Sequence, residues 1–175
     1  MKNEVKKKSR EMSAEWALEI LNKAPYVTVS MKLPDGTPYG LPLSLASTDD
    51  KTFYFHGALV GDKMDAIRAN PEVCLSAVTR CKPMVGPKDD SFTLEFSSAV
   101  AFGKAEIVED PAEKKEALRA ICNHFLPHHM PAFDAAVARS MDRTSVVKIT
   151  LTAPPTGKRK LYDSNGEEMK YMRME

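Results

Sequence analysis

Thr52-Phe53-Tyr54-Phe55-His56-Gly57-Ala58-Leu59-Val60-Gly61-Asp62-Lys63-Met64-Asp65-Ala66-Ile67-Arg68 passes through three local patterns in quick succession. Its aromatic start predicts a β-strand. Gly57 and Gly61 predict a tight loop, where the backbone can bend sharply or approach a ligand closely. Met64, Ala66 and Ile67 then give the next segment a helical apolar face. Such a strand–loop–helix unit points free backbone N–H groups at the space over the helix N-terminus and favours an anion there, most often a phosphate. Lys63 adds a full positive charge at the same place. The competing reading is a purely structural turn, since the spacing matches neither a P-loop nor a dinucleotide fingerprint.

Working outward, the chain of 175 residues suits a single domain spanning 1–175. Within it, 1–12 read as a basic, solvated tail and 153–175 as a C-terminal extension. A hydrophobic fraction of 43%, a charged fraction of 28% and a net charge of +1 are those of an ordinary globular protein, and give no case for nucleic-acid binding. There is neither a membrane-length apolar run nor an export signal pattern, and three cysteines (Cys74, Cys81, Cys122) cannot all pair internally. These features predict a cytoplasmic protein with no membrane partner.

The elements follow in order. Ser13 caps a helix to Ala24, with Trp16 as a core or interface anchor, and Pro25 stops it. Tyr26 to Met31 alternates as a strand, Pro34-Asp35-Gly36 turns, and Tyr39 to Ala46 returns. Pro42 has no N–H to donate, so one side of that return strand is an edge, a bulge or a ligand wall. Thr52 to His56 is the third strand. A helix over Asp62–Ala69 follows, with Asp62 well suited to cap it. Val73 to Thr79 is the fourth strand, Lys82 to Asp90 a mobile loop, and Phe92 to Val108 a long β segment. Asp110-Pro111 opens a helix that Pro127 breaks. Phe133 to Met141 is a short helix, Ser145 to Leu151 a last strand. Strands in series joined by short turns, with helices as interruptions, predict a closed or partly closed antiparallel barrel with helices outside.

Several other side chains carry chemical options. His124, His128 and His129 suggest a metal site, the first two standing four apart as two ligands on a helix would, but Pro127 interrupts that helix and no acidic or cysteine ligand follows with supporting spacing, so solvent-facing or interface histidines are the better account. Ser97 and Ser98 lack the context of a nucleophile elbow. Lys158-Arg159-Lys160 is too short to argue for a membrane or RNA.

Five stretches in fixed order resemble the pyridoxamine 5′-phosphate oxidase-like FMN-binding split barrels, nearest the nitroimidazole-resistance branch. They are Asp35–Ser44, Phe53–Ala58, Gly61–Met64, Asn70–Cys74 and Ser97–Ala105. The resemblance covers residues 13 to 152. It implies a mainly β fold with flanking helices, a six-stranded antiparallel split β-barrel, paired as a homodimer with FMN at the interface. It also implies roles for residues: Pro42, Leu43 and Ser44 along the isoalloxazine ring; His56, Gly57, Ala58 and Gly61 at the flavin and its ribityl phosphate; Lys63 as the phosphate-binding lysine; and Ser98 reaching the cofactor from the long β segment. His56 is also the catalytic candidate, because an imidazole can gate proton transfer near neutral pH; a role limited to hydrogen-bonding phosphate or backbone is the alternative.

The departures are informative. The oxidases carry basic residues where this chain has Leu41, Ala46 and Asp62. Three fewer cations around a dianion predict weaker FMN binding, and with no counterpart to the oxidases' C-terminal segment they disfavour vitamin B6 oxidation. The expected function is therefore an FMN-dependent oxidoreductase on a small molecule, with nitroaromatics or nitroimidazoles among the candidates. NAD(P)H would then be a transient reductant, as the chain has no dinucleotide fingerprint. The alternatives are a flavin-binding carrier or sensor with little turnover, and an empty barrel serving as a dimeric interaction module; fold alone does not choose among them.

Overall fold

The computed structural model describes residues 4–85 and 92–161. In chain order the elements are β1 (Glu11–Met12), α1 (Ala14–Lys23), β2 (Val27–Lys32), β3 (Pro38–Leu43), β4 (Ala46–Ser47), β5 (Thr52–Gly57), α2 (Asp62–Ala69), β6 (Glu72–Val85), β7 (Phe92–Ile107), α3 (Pro111–Phe125), α4 (Phe133–Ser140), β8 (Ser145–Leu151) and β9 (Thr156–Lys160). Short 3-10 turns cover Lys8–Arg10, Pro127–Ala132 and Met141–Arg143. The strands form one sheet in the order β3-β2-β6-β7-β8-β5-β4, with β9 pairing β7 and β1. Every pairing with a resolved register is antiparallel.

The six expected strands correspond to β2, β3, β5, β6, β7 and β8. Three differences appear. The return strand after the Gly36 turn is broken into β3 and β4. β6 runs on through Lys82–Val85, part of the stretch expected to be loop; the rest of that expectation, 86–90, lies outside the described residues. β1 and β9 fall in segments expected to be tail and extension, and they pair with each other, Glu11 opposite Lys158 and Met12 opposite Gly157.

The chain divides into two compact units, with β6 and β7 running through both. One holds α1, β1, β9, the C-terminal part of β6 and the N-terminal part of β7. Here the Ser13 hydroxyl accepts from the Trp16 N–H (3.2 Å), starting a helix that buries Ala17, Ile20 and Leu21. β9 reads as a charge run yet is strand, because its cations lie on aromatic faces: Lys158 Nζ is 5.6 Å from the Phe96 ring centroid and the Arg159 guanidinium 6.0 Å from Trp16. Arg80 pairs with the buried Glu95 carboxylate.

The other unit holds β2–β5, α2, the start of β6, the end of β7, α3, α4 and β8. The Asp110 carboxylate accepts from the Glu113 N–H (2.8 Å), with Pro111 at the first helical position, so α3 begins where its sequence predicts. β5 and β8 are the best-buried pair, in register from Thr52 opposite Thr150 to Gly57 opposite Ser145. Phe53, Tyr54 and Phe55 are all buried, so β5 is covered on both faces. On one face, Tyr54 joins a core of Val108, Ala117, Leu118, Ile121, Phe133 and Val146. β3 ends the strand order, so Pro42 sits on an edge strand, its missing N–H costing no ladder bond on the open side.

Candidate functional site

β5 delivers His56 and Gly57 at its end, and the chain then crosses Ala58–Gly61 into α2. Gly61 is the N-cap, at φ 114° and with no side chain to satisfy the first amides. This corrects the expectation that Asp62 caps the helix: Asp62 is the first helical residue, exposed, and the glycine's left-handed backbone makes the entry turn. The Met64 and Asp65 N–H groups donate to the Gly61 carbonyl (2.8 and 3.1 Å). The loop is tied to its own helix, since Arg68 donates to the Leu59 carbonyl (3.3 Å) and pairs with Asp65 (3.3 Å).

Lys63 folds back along this loop. Its Nζ lies 5.4 Å from the Phe55 ring centroid and occupies the space a side chain at Gly57 would need. No carboxylate pairs with it among the described residues. Burial lowers its pKa below the ordinary lysine value, as expected of an ammonium held away from water without a counter-ion. His56, beside it, has its pKa lowered by desolvation first and by the Lys63 charge second. His56 is still open to solvent in part, and both causes favour its neutral form.

Two cavities flank this end of the sheet. One, of about 390 Å³, is lined by His56 together with residues of α3, the Pro127–Ala132 turn and α4, among them Cys122, His129, Phe133 and Val137. The other, of about 610 Å³, is lined by Tyr54, Glu113, Glu116, Arg119 and Asn123. Met130 borders both. In the second, the Tyr54 hydroxyl donates to Glu113 Oε1 (3.0 Å), and Lys148 pairs with Glu113 (3.0 Å) and Glu106 (3.5 Å).

The structure thus brings His56, Gly57 and Lys63 together, with Ala58 and Gly61 on the connecting loop. Pro42, Leu43 and Ser44 lie at the end of edge strand β3 and make no hydrogen bond to that loop among the described residues. Ser98 belongs to the other unit, where its hydroxyl donates to the Lys158 carbonyl at 3.4 Å. His124 packs edge-on against Phe125, ring centroids 4.5 Å apart, and no group of three metal-ligating side chains occurs among the described residues. The cysteines are free, and no described helix is long and apolar enough to cross a membrane. His129 is exposed, as the reading of solvent-facing or interface histidines expects; what sequence reasoning missed is that the turn after α3 carries it to the cavity that His56 lines.

The family model described as pyridoxamine 5′-phosphate oxidase matches residues 13–158. The chain belongs to that family. No curated protein matches it in sequence. Among solved structures, a candidate 5-nitroimidazole antibiotic resistance protein from Bacteroides thetaiotaomicron is 25% identical, with 82% of each chain covered and a TM-score of 0.67. The flavocytochrome Anf3 from Azotobacter vinelandii is 20% identical over 98% of this chain and 83% of that one, TM-score 0.78. A FAD- and haem-binding protein from Mycobacterium smegmatis is 18% identical over 86% and 73%, TM-score 0.75. The latter two speak for the fold alone, and the expected split-barrel class is the fold this chain has.

Does the loop fit a flavin phosphate? The residues present do. Gly61 leaves the first amides of α2 without a side-chain cap, and Lys63, in the first turn of that helix, supplies an ammonium without a carboxylate partner among the described residues, held against Gly57.

Proposed function

We propose that this protein is an FMN-binding oxidoreductase acting on a small molecule, a nitroaromatic or nitroimidazole being the leading class. It would work as a homodimer with cofactor at the interface and NAD(P)H visiting as reductant. One observation carries the reading: a lysine ammonium without a carboxylate partner among the described residues, packed against Gly57 and Phe55 on the strand that leads into a helix start without a side-chain cap. An unneutralised, partly buried cation weakens the fold unless an anion is there to use it.

In this reading Lys63 and the amides at the start of α2 hold the phosphate. Ala58 and Gly61 allow close approach of the backbone, and Pro42, Leu43 and Ser44 border the ring. Bound flavin supplies the electron or hydride chemistry. In its neutral form the His56 imidazole has one ring nitrogen free to accept a proton and one N–H to donate. Asp62, in the first turn of α2, adds a negative charge near the anion and makes the grip weaker than a fully cationic cradle would be. The resemblance to the resistance protein supports the substrate class. A flavin carrier or sensor is the second reading, and the same lysine supports it equally.

Titration of flavin-free protein with FMN and with riboflavin, which lacks the phosphate, tests the assignment. Lys63→Ala should lower FMN affinity about 10- to 100-fold and leave riboflavin affinity unchanged. Gly57→Ala, whose methyl group takes the ammonium's place, should mimic that loss in part. Equal FMN affinity in Lys63→Ala and wild type would remove the phosphate site. A yellow protein that NAD(P)H does not bleach, with or without a nitroaromatic, would make it a carrier. If it does turn over, His56→Ala should keep flavin and lose turnover.

A further inference from the structure

We propose that the cavity of about 390 Å³ enclosed by α3, the turn after it, α4 and the end of β5 binds an uncharged aromatic small molecule through the imidazoles of His56 and His129. Its volume lies within the range of sites that take ligands of that size. No Asp, Glu, Lys or Arg side chain lines it. A carboxylate or phosphate entering it would shed hydration and gain no cation in return. Lys63 is not among the lining residues.

The polar groups narrow the ligand further. Ser140 donates its hydroxyl to the Ala136 carbonyl (3.1 Å), and Thr144 donates to the Ser140 carbonyl (2.8 Å). Both donors are spent on the helix backbone. Their oxygens can still accept, and the lining ring N–H donors are those of His56 and His129, both partly open to solvent, which make no side-chain hydrogen bond or ion pair among the described residues. Each imidazole has at least one ring N–H to donate. Two of them suit a molecule with one or two hydroxyl, carbonyl or nitro oxygens on an otherwise apolar frame.

The walls suit an aromatic frame. Phe133 presents a ring, while Cys122 and Met130, packed against the core, present polarisable sulfur, which contacts aromatic edges favourably. Leu126 leaves apolar surface exposed at the rim. The site is separate from the phosphate loop apart from His56, and it does not depend on flavin.

The probe is N-phenyl-1-naphthylamine, a neutral dye that brightens in apolar surroundings, added to flavin-free protein. Saturable brightening is expected, reversed by 2-naphthol and not by 2-naphthoate. Ala136→Trp, which places an indole in the cavity from an exposed helix position, should weaken the dye at least ~10-fold, and Leu126→Arg should weaken it less. His129→Phe should weaken 2-naphthol about 5- to 20-fold more than naphthalene, the signature of a lost hydrogen bond rather than lost packing. The proposal is overturned if the dye does not bind, if both Ala136→Trp and Leu126→Arg bind it as wild type does, or if 2-naphthoate competes as well as 2-naphthol. FMN binding, read separately from flavin absorbance, stands or falls independently of these results.

Discussion

Tyr54 and His56 are two residues apart on β5, and strand alternation sets them on the same face. Each borders a cavity, but their circumstances are opposite. Tyr54 is buried and anchored: its hydroxyl reaches Glu113, which Lys148 neutralises. The His56 side chain has no hydrogen-bond partner among the described residues and sits beside an ammonium that discourages its own protonation. The fold satisfies the polar group it uses for structure and leaves the next one along open. An open polar group at a sheet end, beside an open cation, is how a binding site looks before its ligand arrives.

The contrast can be broken by substitution. Tyr54→Ala should cost about 3–5 kcal/mol in chemical denaturation, through lost core volume and an abandoned Glu113. Tyr54→Phe should cost about 1 kcal/mol, isolating the hydroxyl. His56→Ala at pH 8 should fall within about 0.5 kcal/mol of wild type. A His56 loss as large as that of Tyr54→Ala would mean the histidine is structural after all.

Acidity sharpens the contrast. The folded-state pKa of His56 lies below its unfolded value, so the unfolded chain takes up the proton first as pH falls. Its effect is absent above the unfolded value near 6.5, and stability is lost as pH drops from there through the lowered folded pKa. Denaturation of wild type and His56→Ala at pH 8 and pH 5 should show the variant gaining relative stability at the lower pH. Parallel losses in both proteins would remove the burial argument.

The smallest effect concerns Lys63. Its pKa is also lowered, so its charged form weighs against the flavin-free fold at neutral pH, a penalty relieved only as pH rises through the folded value toward 10.5. Lys63→Met should therefore raise the melting temperature of flavin-free protein by about 1–3 °C while abolishing the extra stability that added FMN gives wild type. A lower melting temperature without flavin would show that the lysine's packing on Phe55 outweighs its charge.

Much of this was legible in the sequence because the signals were local. Asp110-Pro111 announced a helix start, Asp35-Gly36 a hairpin, and Phe53–Phe55 a buried strand, each through a few adjacent residues. The loop after His56 was legible for the same reason, although its cap was not: Asp62 has the better capping side chain, yet Gly61 alone can adopt the backbone that the entry turn requires. The unread parts depend on distant partners. β9 looks like a cationic tail until Phe96 and Trp16 are placed under its lysine and arginine. His129 is at the surface, as it looks, but only the turn after α3 sets it beside the cavity with His56. No periodicity encodes either meeting.

The space shared by Gly57 and the Lys63 ammonium has an evolutionary consequence. A methyl group at Gly57 would displace the flexible end of Lys63 from the place it holds. Across relatives of this chain, substitutions at these two sites should be correlated: a lineage that gains a side chain at 57 would abandon the lysine, and with it this means of holding a phosphate.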